Sequence, residues 1–261
     1  MLTKIILTVF AILLLAGGIF AQENKEVAVQ PKQDPGKPTE PAAEAPKVVI
    51  TAQSTAMELA KAAQTAHGGD KFRNLKSVLI RGTADTSAPG STQTITSSFY
   101  IVTSGDRSRF ELNNTIAPVT QIFDGVNLYN SFKQIQLPPM SRLGISLLQK
   151  IDDKGYTVSA LPDKKKKRAF RITTPDGYAT DFYLDPVTGL VDSIEAKFTV
   201  DDREITTAIS QDKYRLVDGL MIPEKFSQRL EFSGMSIYAS FKAKDILINS
   251  ELPENTFIIP Q

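Results

Sequence analysis

Alternation of apolar and polar positions dominates the chain from Leu75 onward. It is clearest between Arg168 and Phe198, which reads as three antiparallel strands, Ala169–Thr174, Tyr178–Leu184 and Leu190–Val200. Asp176-Gly177 makes the first turn, since Gly accepts positive φ, and Asp185-Pro186-Val187-Thr188-Gly189 makes the second. In the third strand Leu190, Ile194, Ala196, Phe198 and Val200 share one face, and Ser193, Glu195, Lys197 and Thr199 the other. That period of two predicts a sheet with one dry side and one wet side.

The same pattern extends both ways. Val78–Thr83, Thr94–Val102, Arg107–Leu112, Pro118–Phe123 and Val126–Phe132 read as strands, with Gly105-Asp106 and Asp124-Gly125 as turns. Gly155–Leu161, Arg203–Ile209, Tyr214–Val217, Leu220–Phe232 and Met235–Ile246 follow, and Phe257, Ile258 and Ile259 are expected to dock on the core. Two stretches change period. Ser54–His67 is predicted as a helix, with Ser54 as its cap and Met57, Leu59, Ala60, Ala63 and Ala66 as its apolar stripe; Gly68-Gly69 stops it. Met140–Ile151 is the second helix, with Met140, Leu143, Leu147, Leu148 and Ile151 three and four residues apart. The fold class is therefore mainly β with α (α+β): about eleven short-linked strands in a curled antiparallel sheet, an incomplete barrel covered by helices.

The N-terminal residues belong to no such pattern. Residues 1–21 carry Lys4, an uncharged apolar run from Ile5 to Leu15 and a small Ala21, and read as a signal peptide. An uncleaved anchor is the alternative, although the run falls short of the roughly 20 residues that span a bilayer. Residues 22–53 form a Pro-rich linker, expected to be disordered because it can bury little apolar surface. Residues 54–261 form the folded domain.

Composition narrows the chemistry. The net charge is +1 and no aromatic interleaves with the run Lys164–Arg168, which reads as a solvated hairpin tip, so nucleic acid is not an expected partner. Cysteine is absent, which removes thiolate catalysis, disulfides and a lipid anchor on Cys. A single histidine, His67, sits in the last turn of the first helix, where it would favour the negative end of the helix dipole. No G-x-S-x-G elbow and no Gly-rich phosphate loop occurs. Asp152-Asp153 and Asp201-Asp202 are adjacent acids, which point to opposite sides of a strand rather than facing each other. The expectation is a protein that is not an enzyme, with no catalytic residue, no metal and no cofactor.

Several hairpin segments carry a family resemblance. Gly105-Asp106-Arg107-Ser108-Arg109-Phe110-Glu111, Phe123-Asp124-Gly125-Val126-Asn127-Leu128-Tyr129, Tyr183-Leu184-Asp185-Pro186-Val187-Thr188-Gly189-Leu190 and Asp218-Gly219-Leu220-Met221-Ile222-Pro223 occur in the order found in LolA-like envelope proteins. The second resembles that family's S-D-G-x-x-L-W segment, with Tyr129 in place of Trp. The resemblance covers about residues 54–260 and implies a half-barrel whose helical lid covers an apolar cavity for acyl chains. The carriers' Arg before the Pro of the second-to-third strand turn has no counterpart, since Ser104-Gly105 stands there. The Pro-rich linker also departs from the compact carriers.

The resemblance thus implies an exported envelope protein that binds or carries lipid or lipoprotein acyl chains, as in outer-membrane lipoprotein sorting. It would be a monomer in the periplasm, free or membrane-tethered, with room for a membrane-embedded partner. Phe99, Ile101, Phe110, Leu112, Ile122, Phe182, Leu184, Ile194, Phe198, Phe232 and Phe241 are the expected cavity lining, and Leu143, Leu147 and Leu148 the lid. The alternative is a non-enzymatic envelope interaction module whose core these residues fill themselves.

Overall fold

A computed structural model describes residues 48–88, 91–116, 118–132, 137–200 and 202–260. The signal segment and most of the linker lie outside the described residues. Helix α1, Ala56–Ala66, begins on Thr55 rather than Ser54. Thr55 Oγ1 accepts from the Glu58 amide at 3.3 Å, and the Glu58 carboxylate accepts from the Thr55 amide at 2.7 Å. This reciprocal box satisfies two amides that the helix cannot. Ser54 instead bonds the Thr51 amide one turn earlier. A four-residue helix α2, Asp70–Arg73, follows after Gly68-Gly69.

Twelve strands follow among the described residues: β1 Ser77–Ser87, β2 Ile95–Ser104, β3 Arg107–Asn113, β4 Val119–Phe123, β5 Leu128–Asn130, β6 Thr157–Ala160, β7 Arg168–Thr173, β8 Ala179–Leu184, β9 Val191–Val200, β10 Arg203–Val217, β11 Leu220–Phe232 and β12 Met235–Ile248. They form one open sheet in the order β5-β4-β3-β2-β1-β12-β11-β10-β9-β8-β7-β6, with antiparallel neighbours throughout. The two strands expected at Arg203–Ile209 and Tyr214–Val217 are one, β10; the polar run between them is absorbed by register shifts between Gln211 and Tyr214. The lysine run is a hairpin tip: Lys165 and Lys166 both take positive φ while Lys164 and Lys167 exchange backbone hydrogen bonds.

The predicted helix at Met140–Ile151 is two short 3-10 helices, Met140–Arg142 and Ile145–Lys150, parted by an extended Gly144. Leu147, Leu148 and Ile151 are nevertheless buried. This segment also reveals the curl of the sheet. Arg142 reaches Asp106 in the β2–β3 turn at 3.6 Å and Asp176 in the β7–β8 turn at 3.2 Å. On a flat sheet strands β2 and β8 would stand about 30 Å apart. One guanidinium touches both turns only because the sheet bends round on itself.

The main core lies on the concave side, under α1 and the 3-10 lid. It joins Leu59, Ala60 and Ala63 of α1 to Leu147 and Leu148, to Phe170, Phe182, Leu184 and Ile194 of β7–β9, and to Phe99, Ile101 and Phe241 of β2 and β12. A smaller cluster covers part of the other side, where Leu79, Val102 and Ile122 pack with Phe257 of the C-terminal tail. The tail therefore docks on the outer face rather than the main core, and Ile258 points away, 63% exposed. Among the described residues no helix is long and apolar enough to cross a membrane.

Candidate functional site

The sheet register resolves the concave face into cross-strand rows. Near the lid, Phe170, Phe182, Ile194 and Ile209 stand side by side on β7, β8, β9 and β10. Phe170 and Phe182 stack with centroids 5.2 Å apart and are both fully buried. On the other half, Phe226 and Phe241 stack at 4.6 Å, and Phe99 meets Phe241 edge-on at 5.3 Å. These offset and T-shaped contacts are the favoured aromatic geometries. With Leu147 and Leu148 also fully buried, this base of the concave side is filled.

Toward the hairpin tips of β9–β12 the rows change character. Phe198, Ile205, Phe232 and Met235 form one row, and Ala196, Thr207, Leu230 and Ile237 the next. Ile205 is buried, but Phe198, Leu230, Phe232, Met235 and Ile237 are only half-buried and none belongs to the main core cluster or packs against it. A polar step separates the two zones, where Gln228 donates to Thr207 Oγ1 at 3.0 Å.

The expected cavity residues thus divide. Phe99, Ile101, Phe182, Leu184, Ile194, Phe241, Leu147 and Leu148 sit in the filled base. Phe110 and Leu112 flank it, half-buried, and Leu143 is half-buried in the lid. Phe198 and Phe232 lie in the tip rows. Ile122 does not face the concave side: it stands opposite Arg109 on the outer face and packs under the tail. Leu230, Met235 and Ile237 complete the tip rows and were not singled out from the sequence. The half-buried alternation of Leu220–Phe232 and Met235–Ile246 was the signal that held them.

One polar node anchors the helices to the sheet. His67, at the end of α1, is fully buried. Its Nδ1 donates to the Met221 carbonyl at 2.9 Å, and its Nε2 accepts from the Val191 amide at 3.3 Å. Burial pulls the imidazole down to about 4, partly opposed by the Met221 carbonyl. The ring is therefore neutral at pH 7, and the expected cation at the helix dipole is replaced by a bridging hydrogen-bond partner.

No family model matches the chain, and no curated protein matches it. Solved structures are similar to it. A LolA superfamily protein from Nitrosomonas europaea is 14% identical, with a TM-score of 0.49, over 79% of this chain and 98% of that one. A DUF1329 family protein from Desulfovibrio piger is 11% identical, at 0.44, over 79% and 98%. A domain from Vibrio parahaemolyticus named for outer membrane lipoprotein sorting is 13% identical, at 0.44, over 77% and 95%. None of these likenesses assigns a role to a residue of this chain. The fold itself is an open, curled antiparallel sheet with helices across its concave side, as the strand alternation and the hairpin turns predict.

Proposed function

We propose that the domain binds the acyl chains of a lipid or lipoprotein in the cell envelope, on the tip half of its concave face. The observation that carries this reading is the half-buried apolar surface of Phe198, Leu230, Phe232, Met235 and Ile237, set beside a core that has no further use for it. A methylene moved out of water contributes about 0.8 kcal/mol, so a chain that buries ten of them gains about 8 kcal/mol with no polar contact required. The N-terminal residues of the sequence support export to the periplasm, and the acyl chain's delivery or receipt involves a membrane-embedded partner.

The filled base favours a second reading, an interaction module without a ligand. Phe170, Phe182, Leu147 and Leu148 are fully buried and leave no room for an acyl chain beneath the lid. One experiment separates the two. The mature protein is purified from its native envelope and extracted with organic solvent, and the extract is analysed by mass spectrometry. Stoichiometric acyl lipid, reduced in a Phe198→Ala/Phe232→Ala variant, supports carriage. Lipid-free protein sinks it and leaves the interaction module.

A further inference from the structure

The outer face of the sheet holds a charge arrangement that folding does not explain. Lys213 of β10 stands opposite Lys225 of β11, and Lys225 stands opposite Lys242 of β12. Like charges directly across neighbouring strands repel and weaken the pairing. Lys213 is relieved by Glu224 at 2.8 Å. Glu224 is then fully engaged, because Arg215 bonds it at 2.9 Å, and the hydrogen bonds from Lys213 and Arg215 hold its carboxyl down to about 2. Lys225, Lys242 and Lys244, all exposed, make no ion pair among the described residues.

Lys242 and Lys244 line a groove of about 890 Å³ on this face. The lysine row continues along its floor as uncharged donors: Thr83 stands opposite Lys242, Ser98 opposite Thr83, and Asn113 opposite Ser98. The tail from Pro253 to Thr256 forms a wall, held where Arg109 donates to the Thr256 carbonyl at 2.9 Å. The acids in the lining are already neutralised, Asp245 by Arg81 at 2.9 Å and Glu111 by Arg109 at 2.5 Å. What remains unpaired is positive, although the whole chain carries a net charge of only +1.

From this we infer that the groove binds a phosphate-bearing ligand, with the phosphate against Lys242 and Lys244 of its lining and Lys225 on the neighbouring strand beside Lys242, and the rest of the molecule along the floor toward Asn113. A phosphate accepts from several ammonium and hydroxyl donors at once and carries up to two charges, which suits three unpaired lysines better than a single carboxylate does. The site is on the opposite side of the sheet from the proposed acyl-binding rows and stands whether or not those rows hold a lipid.

The test uses the full chain, a Lys225→Gln/Lys242→Gln/Lys244→Gln variant, and a charge-matched control, Lys61→Gln/Lys76→Gln/Lys154→Gln. Each is titrated with inorganic pyrophosphate and sedimented with vesicles of phosphatidylglycerol or of phosphatidylcholine. The wild type is expected to bind pyrophosphate, or to pellet with phosphatidylglycerol at least tenfold better than with phosphatidylcholine. The groove variant loses that binding at least tenfold and the control less than twofold. Binding to vesicles alone identifies a lipid headgroup, and binding to pyrophosphate alone a soluble phosphoester. Failure to bind either probe, or equal loss in both variants, overturns the inference.

Discussion

His67 and Val191, 124 residues apart, meet through a single hydrogen bond in which the Val191 amide donates to Nε2 at 3.3 Å. The bond requires a neutral ring, since a protonated imidazole has no acceptor to offer. The other nitrogen holds Met221, so one side chain fastens the end of α1 to the first residue of β9 and to the start of β11. Tyr214 completes the knot, its hydroxyl donating to the Val191 carbonyl at 2.6 Å and its ring meeting His67 edge-on at 5.2 Å.

Acid should therefore untie the domain. His67 sits at about 4 when folded and near its ordinary 6.5 when unfolded. Because the folded value is the lower one, its contribution is fully present above pH 6.5 and is lost as pH falls toward 4. A difference of that size corresponds to a loss on the order of 3 kcal/mol. Urea midpoints measured between pH 7 and pH 4 should fall accordingly. In His67→Phe, less stable at pH 7 because two buried backbone groups lose their partner, most of that pH slope should vanish. A slope unchanged in the variant would move the acid sensitivity elsewhere.

Gly82 should tolerate no side chain. It lies at the register shift between β1 and β12, and a Cβ there would stand 2.0 Å from the Lys242 carbonyl oxygen and 2.9 Å from the Lys244 amide nitrogen. Both obstacles are backbone and cannot swing aside. Gly82→Ala is expected to cost about 3 kcal/mol or more, beyond the ordinary cost of overpacking. A thermal midpoint equal to wild type would refute this contact.

Phe182 and Phe198 should respond differently to the same truncation. Phe182 is fully buried against Phe170, so Phe182→Ala should destabilise by about 3–5 kcal/mol. Phe198 is half-buried outside the core, and Phe198→Ala should cost about 1 kcal/mol while lowering acyl-lipid retention. Chemical denaturation gives the first comparison and lipid content the second. Equal destabilisation would place Phe198 in the core instead.

Asp106 should govern how firmly the lid is held. It takes ion pairs from both Arg142 and Lys150, whose side chains are each 18% exposed. Burial pulls the Lys150 ammonium down, opposed by the negative charges of Asp153 and Asp176. Because Asp106 itself is half-exposed, Asp106→Asn should cost only about 1 kcal/mol globally. Hydrogen exchange at the Leu147 and Leu148 amides should nevertheless quicken about tenfold, while exchange in β10 and β11 stays unchanged.

Much of this architecture was legible in the sequence, because strand alternation and turn residues are local. Asp176-Gly177 and Asp218-Gly219 mark their hairpins unaided, and the period of two puts Phe182 and Leu184 on one face of their strand. The misreadings have a common physical origin in contacts from far along the chain. Ile122 looked like a concave residue because β4 buries Gln121, Ile122 and Phe123 in succession. Its outer face is covered by Phe257, and a strand covered on both sides loses the alternation that tells them apart. His67 was read from its own helix, whereas its partners lie on β9 and β11. The lid's apolar spacing suited an α-helix, but Gly144 lets the chain extend and lay Leu147 and Leu148 flat on the sheet.

The strand order also sets a schedule for assembly. Every neighbouring pair in the sheet is consecutive in sequence except one, β1 with β12, where Val78 meets Ile248. Strands β1 to β5 can zip locally as they emerge, and β6 to β12 can do the same. The two halves cannot become one sheet until β12 has been made. Until then β1, eleven residues long, presents a free edge to whatever else is nearby. Closing that seam brings together the most distant segments of the sheet and should be the slow step of folding. A chain that ended between β11 and β12 would keep its other hairpins and lose the seam that joins the two halves.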